Sequence, residues 1–407
     1  MANIRKIFRA SPENPSVSLA DPGAWFVNLF GGQAESGVNV NKETALSISA
    51  VWRAIKILSE GVASLKWDVI EEDENGNKRI AKDHIVYKLL HEPSELYTGF
   101  SWREMMQSNI ELHGNGYTVI IRDRITGAPK ELRHFRPDQV KPYLKNGQLL
   151  YELTNAENKK AVVFSADVIH IPSLAVDGDG ITGKSPLTVH KESLGLSIAT
   201  TKYGAKFFKN GAHIAGYLTT EGKLDDKAAK RMSKSWKMRY TGVEKVGTTP
   251  VLEQGLKYQP LSLSPHDAMF IETNKVNVED VARIFGVPLH LLGDLKNATF
   301  SNIEHQSQEF VMHTLRPRVK RWEAELNRKL FMEDEKARFK VRANLNSLTR
   351  GDTESQSKMI DTVMKWGIGN RDEVRRTFFD WNDISDGSGK KYYVPLNYTD
   401  GAQEEIN

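Results

Sequence analysis

The chain of 407 residues contains no cysteine. That excludes disulfides, thiolate metal sites and a cysteine nucleophile, and it suits a chain that folds in a reducing compartment. Long apolar runs are missing too. None approaches the ~18 residues needed to cross a bilayer, so no membrane partner is expected. The start, Met1-Ala2-Asn3-Ile4-Arg5-Lys6, is basic, but the apolar patch from Trp25 to Phe30 is too short for a secretion signal, and export by that route is not expected. A surplus of one charge is also lacking: 56 Lys and Arg stand against 52 Asp and Glu, a net charge of +4. This permits contact with nucleic acid without the basic excess of a dedicated DNA binder. What is present is 39% hydrophobic and 27% charged residues, the composition of a globular chain long enough for two or more lobes.

Signatures of catalysis are equally sparse. The 11 histidines are scattered, and none forms a His-Glu-x-x-His pair. No Gly-x-Ser-x-Gly elbow occurs. No catalytic residue, metal ligand or cofactor is therefore assigned. One formal match stands out: Gly178-Asp179-Gly180-Ile181-Thr182-Gly183-Lys184-Ser185 satisfies the P-loop pattern between a strand and a helix. It has two readings. One is a nucleotide-binding NTPase loop using Lys184 and Ser185. The other is a tight turn in which Ser185 is the N-cap and Pro186 the first helical residue. Pro186 lacks the N–H that a phosphate cradle uses, and Asp177 and Asp179 bring negative charge to the anion site, so the turn is favoured.

Periodicity organises the rest. Residues 1–40 are rich in Pro, Ser, Asn and Gly and read as an arm anchored at Trp25-Phe26. A helix begins near Asn41 with Ile48, Val51, Trp52, Ile55, Leu58, Val62 and Leu65 on one face, followed by a strand over 67–72 and a turn at Asn75-Gly76. A further helix opens at Ser101, with Glu104 as capping partner, and ends at Gly114. Strands follow at Tyr117 to Ile121, as a hairpin about Asn146-Gly147 between Val140 and Glu152, and over 161–171. This order of helices and then strands marks an α+β fold. A helix is expected over 186–209. Residues 212–263 read as a small inserted module, with strands at 214–219, around Val251 and around Tyr258, and a basic helix over 225–240. Its Lys223, Lys227, Lys230, Arg231, Lys234, Lys237 and Arg239 make either a solvated face or a binding face.

From Ser264 to Leu330 the pattern is helix, loop, longer helix. The first helix opens at Ser264-Pro265 and stops at Gly286-Val287-Pro288. A loop covers Leu289 to Phe300. Ser301 and Glu304 form a capping-box pattern for the second helix. Its stripe is Val311, Leu315, Val319, Trp322, Leu326 and Leu330, and Pro317 inside it is expected to kink it. Two short helices near 352–366 and 370–378 precede an irregular tail.

Short segments in this order carry a resemblance. They include Val51-Trp52-Arg53-Ala54-Ile55, His113-Gly114-Asn115-Gly116-Tyr117, Asp167-Val168-Ile169-His170-Ile171 and Gly183-Lys184-Ser185-Pro186-Leu187. Phe285-Gly286-Val287-Pro288, Leu291-Leu292-Gly293-Asp294, Leu315-Arg316-Pro317 and Arg350-Gly351-Asp352 continue the series. In these the chain resembles the portal proteins, or head-to-tail connectors, of long-tailed non-contractile bacteriophages, from about Ile48 to about Asn397. The resemblance implies a portal-type α+β fold: an N-terminal arm (1–44), an α/β wing (45–185), a stem helix (186–211), a clip (212–263), a second stem helix (264–287), a tunnel loop (288–300), a long kinked helix and connection (301–344), and a crown with tail (345–407). It implies a dodecameric homo-oligomer at one capsid vertex that passes double-stranded DNA without sequence preference, and no enzymatic activity. Lys296 and Asn297 would face the DNA. Lys227, Lys230, Arg231 and Lys234 would meet the packaging motor or the connector. Expected partners are the terminase large subunit, a head-tail connector or adaptor protein, the major capsid protein and a scaffolding protein. The expected location is the virion, with assembly in the host cytoplasm.

Overall fold

The computed structural model describes residues 32–74, 76–155, 158–174, 180–209, 216–219, 226–240, 257–260, 278–295, 300–345, 353–379 and 381–393. The arm anchor at Trp25-Phe26, the strand around Val251, the helix start at Ser264-Pro265, and Lys296 and Asn297 all lie outside the described residues. The chain divides into two units, Met1–Ala343 and Asn344–Asn407.

The first unit opens with a small hairpin of β1 (Gly32–Gln33) and β2 (Asn39–Val40). Asn41 then caps α1 (Lys42–Leu46), exchanging hydrogen bonds with Thr44 in a capping box. The single helix expected from Asn41 is in fact two, since α2 (Ser49–Ala63) starts afresh after Ser47 and Ile48. Trp52, counted on the apolar face, is 56% exposed, whereas Val51, Ile55, Leu58 and Val62 are buried. The next helix, α3 (Ile85–His91), was not expected. The one after it, α4 (Gly99–His113), is capped by Thr98, whose hydroxyl accepts from the Ser101 amide, so the start lies before Ser101 and Glu104 is no capping partner.

Three three-stranded sheets follow from the strand pattern. The first combines β3 (Lys66–Glu72) with β4 (Lys78–Ile80) and a late strand, β13 (Phe339–Asn344). In the second, β5 (Asn115–Arg122) lies between β6 (Pro129–Phe135) and β10 (Val168–Pro172). The third is a meander of β7 (Val140–Lys145), β8 (Gln148–Thr154) and β9 (Lys160–Phe164). Its first turn is the expected one, with Asn146 at φ 53° and Gly147 at φ 77°, the primed geometry that matches strand twist. The strand expected over 161–171 is two strands. A turn at 165–167 lets β9 leave one sheet and β10 join the other. Tyr117, Val119 and Val168 of the second sheet and Val140, Tyr151, Leu153 and Val163 of the third form one buried cluster.

Helix α5 (Pro186–Val189) is separated by His190 from α6 (Lys191–Lys209), where one continuous helix was expected. In the inserted module, β11 (Gly216–Thr219) pairs antiparallel with β12 (Lys257–Pro260), and the basic helix α7 is Asp226–Tyr240. Helix α8 is described over 278–285 and ends at Gly286, whose φ of 68° is the left-handed stop expected there. The final helix begins as α9 (Phe300–Glu309), so Ser301 is already inside it and does not cap it. It passes through a wider-pitched π segment, Phe310–Leu315, into α10 (Arg316–Leu330).

The core of this unit is a trio of tryptophans from distant parts of the chain. Trp67 of β3, Trp102 of α4 and Trp322 of α10 are each at most 1% exposed. The Trp322 ring centroid lies 5.4 Å from that of Trp102 and 5.9 Å from that of Trp67. Each indole N–H has an acceptor: Val62 O for Trp67, Thr118 Oγ1 for Trp102 and Gln107 Oε1 for Trp322. Large aromatic area is thus buried without an unpaired donor. Asn327 completes the join by donating to Val341 O and accepting from Val341 N, as a neighbouring strand would.

The second unit contains α11 (Thr353–Lys365) and α12 (Arg371–Val374), the latter continued by a π turn, Arg375–Phe379. Asn370 and Glu373 form a capping box at the start of α12.

Candidate functional site

The long helix is held to helix α4 at one buried charged joint. The Arg318 guanidinium donates from Nε to Glu111 Oε1 at 2.6 Å and from Nη2 to Glu111 Oε2 at 3.1 Å. The same fork reaches Thr314 O at 2.9 Å and Phe285 O at 3.2 Å, touching the π segment and the end of α8. Glu111 is 4% exposed. It also accepts from Gln107 Nε2 at 2.6 Å, and Gln107 accepts from Trp322. A bidentate pair with every oxygen bonded is the geometry in which a buried charge is tolerated.

The π segment sits directly before Pro317. A proline inside a helix offers no N–H to the carbonyl four residues back. Here the Arg316 amide bonds to Val311 O, five residues back, and the Arg318 side chain donates to Thr314 O, so the helix widens just before the proline and a guanidinium bonds a carbonyl beside it. The extra residue per turn explains why the apolar stripe shifts. Phe310 and Thr314 are buried above the proline, while Leu315, Val319, Trp322, Leu326 and Leu330 are buried in regular spacing from there on.

The glycine-rich loop forms a second polar node, in which the backbone groups of Gly183 and the Lys184 amide are already bonded. Asn115 Oδ1 accepts from the Gly183 amide at 2.9 Å and its Nδ2 donates to Gly183 O at 2.8 Å. The Lys184 amide goes to Leu174 O at 3.2 Å. Ser185 stands at the N-cap position, but its hydroxyl donates to Leu112 O at 2.6 Å and not to its own helix. Behind Asn115, His170 Nε2 lies 3.0 Å from Asn115 Oδ1, and its Nδ1 lies 3.0 Å from the Tyr151 hydroxyl. Gly114, at φ 78°, has no room for a side chain, because an added Cβ would lie 2.6 Å from Gly183 O. The amides of Gly183 and Lys184 that would cradle a phosphate are therefore committed, and Pro186 has none.

Helix α7 presents Lys227, Lys230, Arg231 and Lys234, all exposed, at 3- and 4-residue steps along one side. Between α8, the turn Leu289–Leu292 and the π segment lies a cleft of about 750 Å³. Leu289 to Leu295, expected as part of a loop, instead fold as that turn and a left-handed Gly293, tied to α2 by Arg53 Nε donating to Leu291 O. Among the described residues no group of three His, Cys, Asp or Glu side chains could hold a metal ion, and no helix is long and apolar enough to cross a membrane.

Burial perturbs several groups near these nodes. It lowers His113 and His134 to about 4, and lowers Arg103 to about 10. Arg103 caps two helix ends, donating to Leu90 O and Ala63 O. Burial pushes Tyr151 and Glu325 up. The joint residues Glu111 and Arg318, and the loop anchors Asn115 and His170, went unassigned in the sequence. A signal existed for the first: Arg103, Gln107 and Glu111 recur every fourth residue on a helix whose other periodic residues are apolar, a polar stripe on a buried face.

Comparison with known proteins covers nearly the whole chain. The family model described as phage portal protein matches residues 49–378. The probable portal protein of Streptomyces phage phiC31 is 31% identical over 410 aligned residues, covering 96% of this chain and 88% of that one. The portal protein of Enterobacteria phage HK97 is 29% identical, covering 83% and 80%. Among solved structures, an HK97-family phage portal protein from Corynebacterium diphtheriae aligns with a TM-score of 0.58 at 17% identity, over 77% of this chain and 99% of that one. A chain in the neck of a native gene transfer agent particle, computed with C12 symmetry, aligns with a TM-score of 0.56 at 21% identity, over 82% and 92%.

Proposed function

The chain belongs to the phage portal protein family, the head-to-tail connectors of tailed phages, and on that premise we propose that twelve copies close into a ring at one capsid vertex and form the conduit for double-stranded DNA. The likeness to a twelve-fold neck is the observation that carries the ring. In this reading the wing is 45–185, the stem is 186–211 with 264–287, the clip is 212–263, the tunnel loop is 288–300 and the crown begins near 345. The long helix bends at Pro317 and runs from the channel to the wing, with the Glu111–Arg318 joint as its anchor.

A conduit must hold DNA weakly. Base-specific or dense contacts would stop sliding, whereas a few cations per subunit attract phosphate without reading sequence. Lys296 and Asn297 are the proposed contacts. The exposed cationic face of Lys227, Lys230, Arg231 and Lys234 is the proposed seat of the terminase large subunit and later of the connector or adaptor protein. The major capsid protein and a scaffolding protein are the proposed partners at the wing, during assembly in the host cytoplasm. The subunit is proposed to be structural, with ATP hydrolysis left to the motor. The committed amides of Gly183 and Lys184 support that part.

The test is an axial class average of purified particles by electron microscopy with the particle mass. Twelve-fold rings with an open centre are expected, and a monomer or a closed centre would end the proposal. Lys296→Ala is expected to leave ring mass unchanged and to alter packaging or retention of DNA. Lys184→Ala is expected to change no nucleotide turnover, and ATP hydrolysis that disappears in this variant would overturn the structural assignment.

A further inference from the structure

The ring requires a subunit to carry two different faces that fit each other, because a heterologous contact joins unlike patches. Two such faces stand out in the first unit. One is convex. Helix α6 buries Leu194 and Ile198, yet along its other margin Leu196 is 52% exposed and Tyr203 55% exposed, with Val189 just before the helix at 52%. Leu196 and Tyr203 are seven residues apart, two helical turns, and so share one side of α6, and Val189 is exposed just before its start. Lys202 beside them is exposed and makes no ion pair among the described residues.

The other face is concave. The cleft of about 750 Å³ has an apolar floor that includes Ala282, Val287 and Phe310. Glu279 and Glu309 line it, both exposed and without an ion pair among the described residues. One face thus offers apolar projections and a free cation, the other an apolar hollow and free carboxylates. The two faces also belong to adjoining helices. The half-buried Ser193 hydroxyl of α6 donates to Asp280 Oδ2 at 2.9 Å, tying α6 to the helix that walls the cleft.

We propose that the Val189–Leu196–Tyr203 margin of one subunit seats in the cleft of the next copy, with Lys202 against the carboxylates of Glu279 and Glu309. This rests on the ring reading above, and the test separates the two. The chain has no native cysteine, so cysteines introduced in pairs report on their own contact alone. Chains carrying Leu196→Cys, co-assembled in equal amounts with chains carrying Ala282→Cys and treated with a short bis-maleimide linker, are expected to give covalent dimers on a denaturing gel. Either cysteine alone is expected to give none. Rings of correct mass that yield only monomer bands would overturn the proposed contact while leaving the ring intact, and so would dimers from Leu196→Cys alone. Failure of the unsubstituted protein to form rings would instead overturn the reading beneath it. As a second measurement, Leu196→Asp is expected to raise the concentration for half-assembly about tenfold or more with monomer unfolding unchanged. Assembly at the original concentration would also overturn the contact.

Discussion

The two units are built on different physical principles. Met1–Ala343 buries three tryptophans, Phe285 and a long series of aliphatic side chains, and the indole N–H groups at its centre are all paired. Among the described residues of Asn344–Asn407 the one buried hydrophobic side chain is Val374, while Trp366, Ile368, Phe379 and Trp381 are each at least 44% exposed. What shapes the second unit is hydrogen bonding. Asp372, 1% exposed, accepts from the Ile384 amide, Arg375 donates to Asn382 O, and the Tyr392 hydroxyl donates to Glu373. Surface pairs such as Arg375 over Trp381 and Phe379 against Trp381 add contact without a core. Burial supplies most of the favourable free energy of folding, so the first unit is expected to unfold as one cooperative block and the second to open locally at lower denaturant.

The largest effect should come from splitting the buried joint. Arg318→Met leaves Glu111 charged and unpaired in the core, and a loss of about 3–5 kcal/mol is expected for the first unit in chemical denaturation. A loss below 1 kcal/mol would mean that water reaches the pair and that the joint is not the anchor described.

Acid should act on the same unit. His113 and His134 titrate near 4 when folded, against about 6.5 in the unfolded chain. A depressed folded value means that the unfolded chain takes up the proton first. This part of the stability is complete above pH 6.5 and disappears as pH falls towards 4, with about 2 kcal/mol per histidine lost at pH 5. Denaturation midpoints of the ring-dissociated subunit at pH 7 and pH 5 check this, and equal midpoints would contradict it.

Smaller still should be Asp372→Ala. It orphans the Ile384 amide, at a cost of about 1–3 kcal/mol. Hydrogen exchange should quicken over 370–390 and stay unchanged at the tryptophan trio. Faster exchange in both places would erase the distinction between the units. The smallest effect belongs to the exposed face of α7. Replacing Lys227, Lys230, Arg231 and Lys234 together with alanine should move stability by no more than about 0.5 kcal/mol, since single exposed cations contribute little. A marked loss of stability would show that this face is packed in the subunit and is not a free surface.

Local rules were legible where a residue's own backbone enforces them. The Asn146-Gly147 turn, the stop at Gly286 and the Asn370 start of α12 appear in the fold as their residue types demand. The sequence pattern misjudged elements whose ends depend on neighbours. Ala161 to Ile171 looks like one apolar strand, but Ser165 O and Ala166 O are taken by Lys329 and Arg122, which hold the turn that separates β9 from β10. Trp52 fits the apolar period of its helix and yet faces outward.

By itself, then, the order of residues determined which segments could be helix or strand, where glycine and proline forbid continuation, and that thiol chemistry is excluded. Those properties follow from covalent geometry and hydropathy within a few residues. Only the tertiary structure decided that Glu111 and Arg318, 207 residues apart, form one joint, and that the amides of Gly183 and Lys184 are already bonded. A charge or an amide has no partner until the chain is folded, and its chemistry depends on whether that partner is present.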